Sequence, residues 1–184
     1  MKNTSWKMPL IILAVIFAVI MMIVFMIQGV QNKAINLEEQ ITTAQSEIKI
    51  QEKRRADLIP NLVDCVKEYD KHEYNTLMAV IEARGTNSDA VADEIKTMIS
   101  AVAEAYPDLK SNTNYQNLMT ELATTENMIA NVRSNYNTWV SQYNSYIRKF
   151  PNRQILDMLG YEAGGYQKLN FDVSSDAPTN IFGN

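Results

Sequence analysis

Reactive and metal-binding side chains are scarce in this 184-residue chain, which holds one cysteine, Cys65, and one histidine, His72. A single cysteine excludes an intramolecular disulfide, and a lone thiol says nothing of the redox compartment. Cys65 falls in an apolar periodic stretch with Leu62, Val63 and Val66, where a small core residue is the ordinary reading. A reactive thiol needs a His or Lys neighbour at helical spacing, and Lys67, Glu68 and Tyr69 offer no obvious one. One histidine excludes the paired Glu-x-x-His elements of a di-iron bundle. It also excludes the two-histidine helix of zinc proteases, because His72-Glu73 continues as Tyr74-Asn75-Thr76. Glu68 and His72 lie one turn apart, a spacing that suits a surface ion pair or hydrogen bond better than a metal site. Six glycines form no Gly-x-Gly-x-x-Gly, P-loop or Gly-x-Ser-x-Gly, and nothing places a serine beside His72. No catalytic residue, cofactor site or metal ligand is assigned, and the expectation is a protein that is not an enzyme.

Positive charge is also in short supply. The net charge is −4, and because Lys2 and Lys7 are the only charged side chains before Lys33, the remainder carries −6. A mildly acidic domain argues against nucleic acid as a partner, since phosphate binding needs clustered Lys and Arg. The nearest basic cluster, Lys53-Arg54-Arg55, has Glu52 before it and Asp57 after it and reads as a solvated helix face.

What the chain does have is one long apolar run. Residues 8–27 read MPLIILAVIFAVIMMIVFMI, without a charge or a strongly polar side chain. As a helix this is about 30 Å long, the hydrocarbon thickness of a bilayer. A cleaved signal peptide would have a shorter apolar region ending at a small-x-small site. Here the run is followed by Gln28-Gly29-Val30-Gln31-Asn32, and no cysteine follows for a lipoprotein signal. A retained single-pass anchor in a lipid bilayer is the expectation. Lys2, Lys7 and the amino terminus precede the span, and Lys33 with Glu38 and Glu39 follows it, which favours a cytoplasmic N-terminus and an extracytoplasmic domain.

Beyond the span, apolar residues recur at alternating steps of three and four. The first series is Ala34, Leu37, Ile41, Ala44, Ile48, Gln51, Arg55, Leu58, Leu62, Cys65, Tyr69, with Gln51 and Arg55 interrupting the seam. Pro60 is expected to kink or break this helix, with Asp57 available to cap a restart. The pattern continues through Tyr74, Leu77, Met78 and Ile81 to a stop at Arg84-Gly85. A further helix begins after Ser88 as N-cap, runs through Val91, Ile95, Ile99 and Val102, and ends before Pro107. Tyr106-Pro107-Asp108 is expected to turn the chain into a helix starting near Asn112. The second series is longer: Tyr115, Leu118, Leu122, Thr125, Ile129, Val132, Tyr136, Trp139, Tyr143, Tyr146, Phe150, with no Gly or Pro between Ser111 and Phe150. It predicts one helix of about 55 Å. The aromatic stripe Tyr136, Trp139, Tyr143, Tyr146 reads as core packing in preference to a ligand groove. A short helix over residues 153–159 stops at Gly160, and the remaining tail is a strap or disordered.

The predicted fold is all-α: an N-terminal transmembrane helix continuing into a stalk and an antiparallel bundle of about four helices. The expected divisions are a tail over 1–7, the span over 8–27, a helical stalk over 28–50, the bundle over 51–159 and an irregular tail over 160–184.

Several unusual strings occur in a familiar order. They are Arg54-Arg55-Ala56-Asp57-Leu58-Ile59-Pro60-Asn61-Leu62-Val63, then Val66-Lys67, Tyr69, His72-Glu73 and Ala83-Arg84. Later come Glu104-Ala105-Tyr106-Pro107-Asp108-Leu109-Lys110, Leu118, Glu121-Leu122, Thr125-Glu126-Asn127, Arg133, Tyr136-Asn137, Tyr143-Asn144 and Phe150-Pro151. Over roughly residues 50–151 the chain resembles the LemA family. That resemblance implies a bacterial single-pass protein with a helical-bundle domain, and it implies no enzymatic activity. After Phe150-Pro151 the chain departs from the family pattern, which runs on into an apolar-aromatic segment and a Pro-rich acidic tail. Arg54, Arg55 and Asp57 are expected to pair with groups on the last long helix such as Glu121 or Glu126.

Two functions follow as expectations. The first is a membrane-anchored, non-catalytic scaffold or assembly protein in the bacterial cytoplasmic membrane. It would self-associate through the stalk, because a helix leaving a membrane with an apolar seam needs a partner, and other envelope proteins are open as partners. The second is an envelope binding or sensing domain acting through another protein.

Overall fold

Apolar side chains at steps of three and four hold α1 (Lys7–Val66) as one continuous helix. The structure, a computed structural model, describes residues 7–86, 89–161 and 164–170. Helices α2 (Lys71–Arg84), α3 (Asp89–Ala105), α4 (Pro107–Ser111), α5 (Thr113–Arg148) and α6 (Asn152–Met158) follow, with no strand among the described residues. The fold is therefore all-α, with a long apolar helix at its N-terminus.

Pro60 lies inside α1 and does not end it, so of the expected kink or break the break, with its restart at Asp57, does not occur. A proline inside a helix costs about 3 kcal/mol. Ile59, Leu62 and Val63, all buried, offset it, since each buried aliphatic side chain contributes about 1.5–3 kcal/mol. The Asn61 amide also donates to the Asp57 carbonyl at 3.0 Å, supplying a partner one residue along from the carbonyl that the proline orphans. The chain reverses instead at residues 67–70. Asp70 caps α2 there, its carboxylate accepting from the backbone N–H groups of His72 (2.9 Å) and Glu73 (3.1 Å). The Tyr106 hydroxyl donates to the same carboxylate at 3.1 Å. The expected helical continuation past Tyr69 into Tyr74 is thus corrected, and Glu68 and His72 do not share a helix.

Helix α3 ends before Pro107 as its sequence requires; the proposed cap Ser88 lies outside the described residues. The Tyr106-Pro107-Asp108 turn is itself the start of α4, with Pro107 in its first turn. Asn112 then caps α5, its side-chain oxygen accepting from Asn114 N (2.9 Å) and Tyr115 N (3.2 Å). Asn112→Ala should lower stability by about 1 kcal/mol, while Asn112→Asp, which keeps the acceptor, should cost much less. Denaturant midpoints of the two variants check this. At 1.5 Å per residue α5 is about 54 Å long, close to the length its seam predicts.

Packing divides the chain into two units. One is Ile41–Asn135. Its core joins Ile59, Leu62, Val63 and Val66 of α1 to Leu77 of α2, Ile95 and Ile99 of α3, Leu109 of α4, and Tyr115 and Leu122 of α5. Pairings of α1 residues 54 and 52 with α5 residues 121 and 133 set those two helices antiparallel. The other unit comprises the described residues up to Gln40 and from Tyr136 onwards. Here Val30, Ala34 and Leu37 of α1 are buried, as are Tyr136, Val140, Tyr143 and Ile147 of α5 and Ile155 and Leu156 of α6. The Tyr143 hydroxyl donates to Glu38 and that of Tyr146 to the Val30 carbonyl, so α1 and α5 again run antiparallel.

Two expectations change. The helix over 28–50 is no bare stalk, because Ala34, Leu37, Ile41, Ala44 and Ile48 are each at most 7% exposed within one chain. The buried seam of α5 also shifts after Tyr136, passing to Val140, Tyr143 and Ile147. Trp139 and Tyr146 are half-buried and Phe150 is fully open. Two successive steps of four bring the repeat back towards the 3.6-residue period of a straight helix, whereas the strict heptad drifts from it.

Candidate functional site

An arginine on an apolar seam must find buried counter-charges or be expelled. Arg55 occupies such a position on α1 and is 1% exposed, so the expected solvated face holds for exposed Lys53 and Arg54 but not for Arg55. Its guanidinium donates to Asp89 of α3 at 2.7 Å and sits 3.4 Å from a carboxylate oxygen of Glu126 on α5. Asp89 is shared: Arg133 of α5 donates to both of its oxygens, at 2.6 and 3.1 Å. Arg133 also reaches back to Glu52 of α1 at 2.8 Å. Two arginines and three carboxylates thereby tie α1, α3 and α5 together. Arg54 pairs with Glu121 at 2.6 Å on the rim. The expected pairing of Arg54 and Arg55 with Glu121 and Glu126 is met, whereas Asp57 is exposed and lends only its backbone carbonyl to Asn61.

The electrostatics of this cluster favour fixed charges. Hydrogen bonds from Arg133, then from Arg55, hold the Asp89 carboxyl below its usual range against the opposing effect of burial. Hydrogen bonds to Asp89, and then to Glu52, push Arg133 further up against the opposing effect of burial. A carboxylate depressed on folding contributes stability that is complete above its unfolded value, about pH 4, and is lost as pH falls through the lower folded value. Stability should therefore fall steeply below pH 4, and Asp89→Asn should flatten that acid limb. Thermal unfolding followed across pH 2–6 tests the sign.

The second constellation lies in the other unit. Glu38 accepts hydrogen bonds from the Tyr143 hydroxyl (2.7 Å) and the Tyr161 hydroxyl (2.6 Å). Burial raises both phenols, with Glu38 adding to it, and Tyr161 is pushed up to about 12. Tyr166 packs edge-on against Tyr143 at 5.3 Å. Residues 164–170 form a strap along α5. Asn137 exchanges hydrogen bonds with both the N–H and the C=O of Leu169, and Asn144 donates to the Tyr166 carbonyl. The rest of the tail lies outside the described residues. The aromatic stripe is core at Tyr136 and Tyr143, the reading its spacing favoured.

The remaining candidates stay apart. Cys65 is half-buried, and burial, with Asp64 and Glu68 nearby, raises its thiol away from the reactive thiolate. His72 is exposed in the first turn of α2. Among the described residues no three His, Cys, Asp or Glu side chains gather at metal-binding distance. Sequence reasoning missed Asp89, Arg133, Glu52 and Glu38 as partners; the signal for the first three was Arg55 itself, a seam position that demands counter-charges.

An apolar N-terminal helix continuous with a helical bundle, whose buried charge is neutralised within the chain, defines the class of protein. The LemA family profile matches residues 44–182, and the chain belongs to the LemA family. The match runs through the C-terminal segment, so family likeness does not stop near Phe150-Pro151. The chain is 27% identical over 168 residues to Protein LemA of Metamycoplasma hominis, covering 82% of this chain and 77% of that protein. It is also similar to Magnetosome proteins MamQ 1 and MamQ 2 of Paramagnetospirillum magneticum. Each is 35% identical over 68 residues, 37% of this chain and 25% of those proteins.

Proposed function

We propose that this LemA-type protein is a membrane-anchored, non-catalytic assembly or interaction protein, with α1 crossing the bacterial cytoplasmic membrane and the bundle on the extracytoplasmic side. One observation carries the reading. Residues 8–27 of α1 are long and apolar enough to span a bilayer and lie open as far as Met26, and the same helix then continues into the bundle. The charged clusters supply rigidity: their arginines and carboxylates are spent on one another across three helices. Such a domain presents a fixed surface to a partner and reacts with none.

Self-association remains part of the proposal, though its basis changes. The seam at residues 34–48 is filled from within the chain, so Leu37→Asp or Ile41→Asp should unfold the protein and cannot serve as an interface test. Ile35 and Ile50, about half exposed or more, are the apolar side chains that α1 leaves open past the span. Photobleaching-step counting of the fluorescently tagged full chain in membranes tests the point. Two or more steps per spot are expected. Single steps at every density would favour the other reading, an envelope binding or sensing domain acting through a different protein.

A further inference from the structure

The end of α5 and the turn into α6 expose large apolar side chains where a globular surface should not. Phe150 is 82% exposed and Met158 71%, and Leu159 beside them is also open. Basic residues accompany them: Arg148 and Lys149 precede Phe150, and Arg153 follows on α6. The acidic group facing them is Asp157, at 3.8 Å from Arg153. Lys33 on α1 and Lys149 border an open groove together with Tyr146.

The position of this cluster along α1 decides what it meets. The Tyr146 hydroxyl donates to the carbonyl of Val30, three residues past the last residue of the apolar run. Because α5 runs antiparallel to α1 here, Phe150 lies roughly 6 Å further towards the span, at the level of its final turn. Ile27 is already half-covered there, unlike the residues before it. We infer that the α5–α6 turn is a membrane-surface foot: Phe150 enters the interface beside the span while Lys33, Arg148, Lys149 and Arg153 bind anionic phospholipid headgroups. Exposed apolar side chains flanked by Lys and Arg are the composition that partitions into such an interface. The inference rests on the reading of residues 8–27 as a membrane span.

The full chain in vesicles tests it, using Cys65→Ser with single cysteines carrying a polarity-sensitive fluorophore at Phe150, Met22 or Glu39. Glu39 lies on α1 about 18 Å beyond the span and serves as the aqueous control. Lipids carrying a quencher near the headgroup should quench the Phe150→Cys label about twofold, and more strongly with phosphatidylglycerol than with phosphatidylcholine alone. The Glu39→Cys label should remain unquenched. Replacing Arg148, Lys149 and Arg153 together by Gln should remove the phosphatidylglycerol increment, with helical circular dichroism unchanged. A label at residue 150 that behaves like residue 39, while deep quenchers reach residue 22, overturns the foot and leaves the span intact. Equal quenching in both lipids overturns the anionic recognition. A residue 22 label that deep quenchers cannot reach overturns the span and the foot together.

Discussion

Arg55→Ala is expected to destabilise the bundle by about 3 kcal/mol, because it removes a buried charge whose partners stay behind. Buried pairs broken from one side cost 3–5 kcal/mol; the lower figure applies because Asp89, the nearest partner, is 53% exposed and keeps Arg133. The loss has two sources: Glu126 and Asp89 lose a donor, and a long aliphatic stem leaves a void on the α1 seam between Ile48 and Leu62. Arg55→Met refills the void without the charge, and should recover about half of the loss if packing and pairing share it equally. Arg55→Lys keeps charge but replaces a planar fork by a single ammonium, so it should also fall short of wild type. Chemical denaturation of the full chain in micelles, read by helical circular dichroism, ranks the three.

Tyr143→Ala should cost about 4 kcal/mol, the range for truncating a fully buried aromatic side chain. Tyr143→Phe separates shape from hydrogen bonding. It keeps the ring against Tyr166 and loses the hydroxyl's bond to Glu38, which still accepts from Tyr161, so about 1 kcal/mol is expected. Hydrogen exchange gives the location: the alanine variant should speed exchange in the C-terminal half of α5 and free the Leu169 N–H held by Asn137. Equal costs for the two variants would mean that the hydroxyl, and not the ring, holds this unit together.

Much of this architecture was legible in the periodicity. Steps of three and four from Ala34 to Ile48 and from Tyr115 to Tyr136 mark residues that are buried or half-buried in the structure. The all-α class and the length of α5 follow from them. The illegible parts have physical causes. Pro60 read as a kink or a break, but buried neighbours on either side outweigh its cost, and the chain breaks instead before Asp70, whose side chain caps α2 with Glu73 at the third position. The heptad repeat placed Trp139 and Tyr146 in the core, and the shift to Val140 and Ile147 appears only when the helix is laid on its neighbours. The stalk seam looked unpaired because its cover comes from more than a hundred residues further along, as the Tyr146 bond to Val30 shows. Arg55 broke the seam in plain view, and the partners Glu121 and Glu126 on α5 were anticipated for it and Arg54. Asp89 was not, since nothing local relates it to α1.

The central claim is that one apolar helix anchors this bundle across a membrane, with the domain outside the cytoplasm. We would place a cysteine at exposed Thr76 in a Cys65→Ser background, express the full chain in a bacterial host, and treat intact cells with a membrane-impermeant thiol reagent. The account predicts labelling without lysis, on a protein that stays with the membrane after alkaline carbonate extraction. Labelling that requires lysis would place the bundle in the cytoplasm, and release by carbonate would contradict the membrane span itself.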